Sequence, residues 1–318
     1  MDRKLMSAAR IAIKCLAPKK GESLIVITDE PLRLIGQAIF KAATELGVEP
    51  VMVEITPRER NGDEPPPKVA EMWKRFDLFL APTSKSLTHT KARREACEAG
   101  ARGGTLPGIK MNTMLRALNA DFTTIAKRSQ KVAKVLSAGK MARVFTPTGT
   151  DITMSIKGRM AKADTGQFFK KGDYGNLPAG EAFLAPVEGT ANGCIVIDGA
   201  MAGIGLVKEP IVIKVKKGFA TKIDGGREAS QLKKMMKPLG ENAYNVAELG
   251  VGTNDKAKLI GSILEDEKVM GTVHIAFGNN MSMGGKVNVP LHVDGILLKP
   301  TLEIDGKLVM KNGELLVK

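Results

Sequence analysis

The chain has 318 residues, of which 43% are hydrophobic and 26% are charged, and its formal net charge is +14. This composition predicts folded domains with a substantial core, and it excludes disordered, fibrous and membrane-spanning proteins because no apolar run reaches the width of a bilayer. The basic residues are spread along the sequence, aromatic residues make up only 4% and no nucleic-acid motif is recognisable, so we expect neither a nucleic-acid partner nor a membrane partner.

The first half of the sequence alternates between helical patterns and short apolar runs. An amphipathic helix is predicted over about residues 3–16, and buried strands are predicted for "ESLIVIT" (22–28), "EPVMVEI" (49–55) and "DLFLAPT" (77–83). Strands separated by helices are typical of a parallel sheet with crossover connections. The first strand-to-helix turn lacks the glycines of a dinucleotide-binding motif. We therefore predict an α/β domain with a mostly parallel sheet over residues 1–142, without an organic cofactor.

The second half has a different pattern, in which short strand-like runs dominate. Asp-Gly and Asn-Gly pairs separate these runs, as hairpin turns require. Two helical patterns interrupt them, "GREASQLKKMMKPLG" and "DKAKLIGSILEDEKVMG". We therefore predict an α+β domain with a mostly antiparallel sheet over residues 143–318.

The cysteines and the N-terminal segment indicate a reducing compartment. Cys15, Cys97 and Cys194 are odd in number and have no CxxC spacing, which argues against a disulfide framework and a zinc ribbon. Charged residues interrupt the apolar ones from the start of the chain, a pattern typical of an amphipathic helix rather than a signal peptide. The sequence therefore predicts a cytoplasmic protein.

Histidine and aspartate on strand-like runs are the first candidates for a functional site. His274 lies in "GTVHIAFG", and His292 and Asp294 lie in "PLHVDG". Residues two apart on a strand point to the same face, so His292 and Asp294 can converge on one divalent ion. A strand histidine can equally be a hydrogen-bonded core or surface residue, and both interpretations stay open at this point.

Two glutamates complete the candidate set. Glu181 lies where a loop with proline and glycine runs into a strand, in "NLPAGEAFLAP", and Glu248 lies in the apolar stretch "NVAELGVGTN". A carboxylate among apolar residues is expensive unless it is paired or bound to a metal, although each glutamate could also lie at a strand edge on the surface.

Four segments in this order carry a resemblance: "NLPAGEAFLAP", "AELGVGTN", "GTVHIAFG" and "LHVDG…LEIDG". Together they resemble the metal-binding half of the thermophilic metalloaminopeptidases of the aminopeptidase T and S type, over roughly residues 176–310. "SLTHTKARREACEAGARGGTLPGI" is similar, less distinctively, to the α/β half of the same wider superfamily. The resemblance implies two divalent ions, of zinc, cobalt or manganese, and a possible homodimer.

By this resemblance Glu181 would bridge the two ions, Glu248 and His274 would complete one site, and His292 with Asp294 would complete the other. The implied function is a hydrolase, a metalloprotease that releases N-terminal residues from peptides with a metal-activated water. No general base is identified, so the catalytic residues stay unknown, and the substrate preference is open.

One departure from the family supports an alternative. The family has a tyrosine seven positions after the histidine that matches His274, and this chain has Met281 there. The same superfamily includes ring-cleaving dioxygenases that act on dihydroxypyridine, which the His…His-x-Asp part also resembles. His274, His292 and Asp294 would then hold one iron(II) ion, with Glu181 and Glu248 orienting the ligands. Because both acidic segments are present, the peptidase is the main prediction.

A third interpretation is a protein that keeps a metal for stability or binds a ligand without turnover, since fold alone does not determine function. It predicts a bound metal without peptidase or oxygenase activity.

Overall fold

The computed structural model describes residues 2–317, which group into two compact units. Within these residues, one unit comprises 2–122 and 166–179, and the other comprises 123–165 and 180–317. The division into domains of residues 1–142 and 143–318 stays a prediction. Among residues 2–317, no helix combines the length and the apolar character needed to cross a lipid bilayer.

The described residues form α-helices and strands that are numbered here in chain order. The helices are α1 (Arg3–Lys14), α2 (Arg33–Glu45), α3 (Pro67–Trp73), α4 (Lys91–Glu98), α5 (Met111–Arg116), α6 (Phe122–Ala138), α7 (Arg227–Met236) and α8 (Ile263–Asp266). The strands are β1 (Ser23–Asp29), β2 (Glu49–Ile55), β3 (Leu78–Ala81), β4 (Arg102–Thr105), β5 (Met141–Phe145), β6 (Asp151–Ser155), β7 (Lys162–Asp164), β8 (Tyr174–Asn176), β9 (Glu181–Leu184), β10 (Asn192–Ile197), β11 (Ala200–Met201), β12 (Gly205–Leu206), β13 (Ile211–Lys216), β14 (Phe219–Asp224), β15 (Val246–Gly252), β16 (Val273–Gly278), β17 (His292–Leu297), β18 (Thr301–Ile304), β19 (Lys307–Lys311) and β20 (Glu314–Leu315). Short 3-10 helices span Glu30–Leu32, Lys237–Leu239, Glu241–Tyr244 and Met281–Met283.

The first unit contains a parallel sheet of five strands in the order β2-β1-β3-β4-β8. Its strands β1 and β3 are largely apolar runs, and Leu24–Ile27 of β1 are fully buried. This is expected of parallel strands that are covered on both faces. The predicted first helix is α1, which begins after Asp2, whose carboxylate accepts hydrogen bonds from the backbone N–H groups of Lys4 and Leu5.

The second unit contains two antiparallel sheets. One has eight strands in the order β14-β13-β10-β6-β5-β18-β19-β20, and the other has seven in the order β12-β11-β17-β16-β15-β9-β7. The predicted fold class, a parallel α/β region followed by an α+β region with antiparallel strands, is confirmed.

Apolar side chains of both antiparallel sheets belong to one hydrophobic core. In the eight-stranded sheet, β6 and β13 alternate between buried and more exposed residues, as strands with one core face do. Core residues from the two sheets include Ile152, Met154, Ile211, Ile213, Leu249, Val251, Ile275 and Phe277. Because successive strand residues point to opposite faces, Glu248 and Gly250 of β15 lie on the face away from this core.

The helix predicted over residues 255–271 is largely wrong, since only α8 (Ile263–Asp266) is α-helical there. The side chain of Asn254 accepts hydrogen bonds from the backbone N–H groups of Lys256 and Ala257, which favours a turn over a helix. Gly261 has a φ of 74°, a left-handed conformation that interrupts a helix.

Candidate metal centre

All five predicted ligands lie on four neighbouring strands of the seven-stranded sheet. Glu181 begins β9, Glu248 lies in β15, His274 lies in β16, and His292 and Asp294 lie in β17. Their ligand atoms form two groups, Glu181–Glu248–His274 and Glu248–His292–Asp294, and within each group the atoms are no more than 4.8 Å apart. The structure therefore brings together the side chains that the sequence predicted, while their binding of a metal stays a proposal.

Glu248 is the residue that both groups share. His274 Nε2 lies 3.2 Å from Glu181 Oε2 and 3.3 Å from Glu248 Oε1. His292 Nε2 lies 3.0 Å from Glu248 Oε2 and 3.3 Å from Asp294 Oδ1. The family resemblance implied Glu181 as the bridging carboxylate, but in the structure Glu248 lies between the two histidines.

The donor atoms have the spacing of ligands around a divalent ion. Two metal–ligand bonds of about 2.1 Å at right angles place the ligand atoms about 3 Å apart, close to the observed contacts. Glu181, Glu248, His274 and Asp294 are buried. Within residues 2–317, Glu181 Oε2 and His274 Nδ1 have no hydrogen-bond partner, an unusual situation for buried polar atoms. An ion held by His274 Nε2 would lie close to Glu181 Oε2 and balance its charge, so the residues fit a divalent metal ion.

A backbone contact determines which nitrogen of His292 is available to a metal. His292 Nδ1 lies 2.8 Å from the carbonyl oxygen of Asn279. A carbonyl oxygen can only accept a hydrogen bond, so Nδ1 carries the proton and donates. The lone pair of a neutral imidazole is then on Nε2, which points to Glu248 and Asp294.

Glycine and alanine occupy the sheet positions between the candidate ligands. Directly paired residues of antiparallel strands point to the same face. The candidate ligands pair in this way as Glu181 with Gly252, Glu248 with Ala276, His274 with Gly250, His292 with Gly278 and Asp294 with Ala276. A Cβ atom at Gly250 would lie only 1.9 Å from His274 Nε2. The small residues therefore leave the space into which the longer side chains converge.

A lysine adjoins the first group. Lys268 Nζ lies 2.6 Å from Glu181 Oε1 and 3.7 Å from Asp164 Oδ2, and it also pairs with Glu267. Burial alone would lower the pKa of Lys268, but the three carboxylates outweigh it and raise that pKa well above its usual value. Burial, opposed by the charge of Lys268, raises the pKa of Glu267 to about 8.

The histidines keep Glu248 ionised. Burial alone would raise the pKa of Glu248, but its hydrogen bonds to His274 and His292, together with their charges, lower that pKa to about 2. Burial likewise lowers the pKa of His274, yet the contacts with Glu181 and Glu248 raise it well above its usual value. A buried carboxylate anion is the form that a metal ion requires.

Sequence reasoning missed Lys268, because a lysine after the acidic run "EDE" is typical of a solvated helix end. It also gave no role to Gly250, although that residue lies in the quoted "AELGVGTN" segment. Met281, at the position of the family tyrosine, begins a 3-10 helix and is 53% exposed. It does not belong to either group of candidate ligands.

Asp266 lies two residues before Lys268 in the chain, and its burial predicts that the stability of the fold depends on pH. Burial and the charge of Glu265 raise the pKa of Asp266 to about 6, and its Oδ2 atom is buried without a hydrogen-bond partner among residues 2–317. A raised folded-state pKa means that Asp266 stabilises the fold fully below its unfolded pKa of about 3.9, and this contribution disappears as the pH rises through about 6. As the pH rises from 4.5 to 7.5, the wild type should therefore lose stability that the Asp266→Asn variant keeps. After allowance for solvent screening, we expect about 1 kcal/mol, or about 2 °C in Tm.

Thermal unfolding of both proteins at the two pH values measures this difference directly. The comparison cancels the other carboxylates, which both proteins share. A Tm difference that is the same at the two pH values would contradict the prediction.

Comparison with known proteins links this site to a family. The family model "NicX: 2,5-dihydroxypyridine 5,6-dioxygenase" matches residues 4–317. A curated 2,5-dihydroxypyridine 5,6-dioxygenase from Pseudomonas putida KT2440 is 26% identical over 193 residues, which are 57% of this chain. The match spans about half of that relative, 55% of its length.

Two solved structures share the fold. The structure of 2,5-dihydroxypyridine dioxygenase from Pseudomonas putida KT2440 has a TM-score of 0.83 at 20% identity, with 99% of this chain and 97% of that chain covered. Wild-type AmpT from Thermus thermophilus has a TM-score of 0.71 at 18% identity, with 99% of each chain covered. At these identities both likenesses are likenesses of fold alone.

The predicted metalloaminopeptidase function is wrong. The family model and the curated relative both correspond to the dioxygenase that was the alternative, and neither is a hydrolase or a protease. The predicted pair of zinc, cobalt or manganese ions was implied by the peptidase resemblance, so it is no longer supported. The error arose because two extra acidic segments were interpreted as ligands of a second ion.

Proposed function

Because the chain belongs to the 2,5-dihydroxypyridine 5,6-dioxygenase family, we propose that it is an oxidoreductase that opens the ring of a dihydroxylated pyridine with molecular oxygen. The observation that carries this proposal is the convergence of two histidines and three carboxylates on one face of a sheet, in a chain that matches the family over residues 4–317. The substrate that we propose is 2,5-dihydroxypyridine, the compound in the names of the family and of the Pseudomonas putida relative.

The ion that we propose is iron(II), held by His274, His292 and Asp294. When bound by two histidines and one carboxylate, iron(II) keeps open positions for a substrate and for oxygen. The chain's own residues supply binding, orientation and electrostatics. Asn279 fixes the tautomer and ring orientation of His292, and Glu248 contacts His274 Nε2 through Oε1 and His292 Nε2 through Oε2, which orients both rings toward the same carboxylate.

Ring cleavage by a dioxygenase breaks one carbon–carbon bond and leaves both atoms of O₂ in the product. The overall reaction therefore consumes no external reductant. The buried positions of Glu181, Glu248, His274 and Asp294 keep water away from the reacting groups, and His292, with 32% of its side chain exposed, lies at the open edge of the group. The peptide or small-molecule substrate predicted from the sequence stays a prediction, as do the homodimer and the cytoplasmic location.

The proposal is tested with protein that is prepared without oxygen and loaded with iron(II). On addition of 2,5-dihydroxypyridine we expect one mole of oxygen to be consumed per mole of dihydroxypyridine lost, the loss being followed by the ultraviolet absorbance of the ring. We expect no hydrolysis of an unblocked aminoacyl substrate. Hydroquinone, which keeps the para arrangement of the two hydroxyl groups and lacks the ring nitrogen, is the comparison substrate and should react more slowly. Iron-loaded, folded protein that consumes no oxygen with any dihydroxypyridine would contradict the proposal.

A further inference from the structure

Lys268 places a fixed positive charge beside the candidate metal centre. Its side chain is only 2% exposed, and its ammonium group contacts the carboxylates of Glu181, Glu267 and Asp164. A buried ammonium group with three acidic partners is held firmly, because leaving this position would break all three contacts inside the protein.

Lys268 donates a hydrogen bond to one of the two carboxylate oxygens of Glu181. Oε1 accepts a hydrogen bond from Lys268 Nζ at 2.6 Å, and Oε2 faces His274 Nε2 at 3.2 Å. By contrast, the contacts of Glu248, His292 and Asp294 within residues 2–317 are with one another, with His274 and with Asn279. The ammonium group therefore lies against the first group of candidate ligands only.

The two groups of ligands together would be sufficient for two ions. The ions of a two-metal site lie roughly 3.5–4 Å apart, and Glu248, which both groups share, is placed to bridge them. A second ion, held by Glu181 in addition to the ion proposed at His274, His292 and Asp294, would lie within a few ångströms of the Lys268 ammonium group. In a buried site the repulsion between these like charges is only weakly screened. The positive charge of Lys268 also offsets the negative charge of Glu181, which would otherwise attract the second ion.

We propose that Lys268 takes the place of a second metal ion, so that its ammonium group neutralises Glu181 and limits the centre to a single divalent ion. This inference rests on the proposed function, since the proposed dioxygenase uses one ion. Lys268 is a positioning residue, because it acts through Glu181 and does not reach the reacting groups.

The test counts metal ions without any substrate. Chelator-treated protein is titrated with Mn²⁺, and bound ions are counted by elemental analysis and by electron paramagnetic resonance, which distinguishes an isolated ion from a coupled pair. The wild type should bind one isolated Mn²⁺ per chain. The Lys268→Met variant, which keeps the length of the side chain and removes its charge, should bind two ions with the spectrum of a coupled pair. Lys216→Met, a change at an exposed lysine of β13, is the matched control and should bind one ion.

Two results would overturn the inference: a wild type that binds two ions, or a folded Lys268→Met variant that still binds one. If Lys268→Met does not fold, the Glu181→Gln variant provides the second measurement. It should keep the single ion with affinity lowered by no more than about 100-fold, as expected of a residue outside the ligand set. A Glu181→Gln variant that binds no ion would also overturn the inference.

These outcomes are separate from those of the proposed function. A single Mn²⁺ in the wild type and a pair in Lys268→Met, without oxygen uptake by the iron-loaded wild type, would leave the role of Lys268 intact and reject the dioxygenase. Oxygen uptake by the iron-loaded wild type, with one ion bound in both the wild type and Lys268→Met, would support the dioxygenase and reject the role of Lys268.

Discussion

Replacing His292 with alanine is expected to lower the affinity for a divalent metal by more than about 100-fold and to remove oxygen uptake with it. Loss of an outer partner of a ligand typically lowers metal affinity by 10–100-fold, so loss of a ligand itself should exceed that range. His292 Nε2 lies 3.0 Å from Glu248 Oε2 and 3.3 Å from Asp294 Oδ1, so the substitution removes the nitrogen that faces both carboxylates.

His292 is also the candidate ligand whose removal should disturb the fold least. About a third of its side chain is exposed, at 32%, so its truncation leaves no closed cavity. We expect the free energy of unfolding to change by less than about 1 kcal/mol. Metal titration followed by thermal unfolding of the same samples separates the two effects.

The third histidine of the chain provides the matched control. His89 is exposed and precedes α4, and its replacement by alanine should leave metal affinity within about twofold of the wild type. Asp294→Asn, which keeps the shape and removes the charge, should resemble His292→Ala. If His292→Ala and Asp294→Asn both retain wild-type metal affinity, the assignment of the metal centre is wrong.

Gly250→Ala is expected to lower both stability and metal affinity, although alanine adds a single methyl group. The added Cβ would lie 1.9 Å from His274 Nε2, and His274 is fully buried, so either the imidazole ring or the strand must move. Overpacking of this kind costs about 1–3 kcal/mol of unfolding free energy. Because the displaced atom is the nitrogen that would bind the metal, we also expect metal affinity to fall by more than about tenfold.

A second glycine separates the metal effect from the stability effect. Gly295 lies on β17 next to Asp294 but on the opposite face, where a Cβ would lie 2.4 Å from the Cδ1 atom of Ile197. Gly295→Ala should lose a similar amount of stability while its metal affinity stays within about threefold of the wild type. Equal losses of metal affinity in the two variants would show that Gly250 acts only through general stability.

The choice between peptidase and dioxygenase illustrates how a charge pattern can mislead. Glu181 and Glu248 were both apparent as buried acids in apolar strands, and two acids beside two histidines suggest two ions. In our proposal the ion count depends on Lys268, which is 87 residues away from Glu181 in the sequence and contacts it from the loop after α8. A lysine in an acidic run has no sequence feature that distinguishes a buried counter-charge from a solvated one.

The sequence by itself determined which elements form and which residue types are available to a metal. Continuous apolar runs between helices specify buried parallel strands, and the alternating pattern of the second half specifies strands with two different faces. That alternation also places His292 and Asp294 on one face, because the side-chain period of a strand is a local property.

Only the tertiary structure decided which strands are neighbours and therefore which of these side chains meet. The order β17-β16-β15-β9 brings Asp294 beside Ala276, His274 beside Gly250, and Glu181 beside Gly252. Strand order depends on contacts between residues far apart in the chain, and their energies come from the packing of the whole core rather than from any local pattern. For the same physical reason, the exchange of Glu181 for Glu248 as the shared carboxylate and the pairing of Lys268 with Glu181 became apparent only in the folded chain.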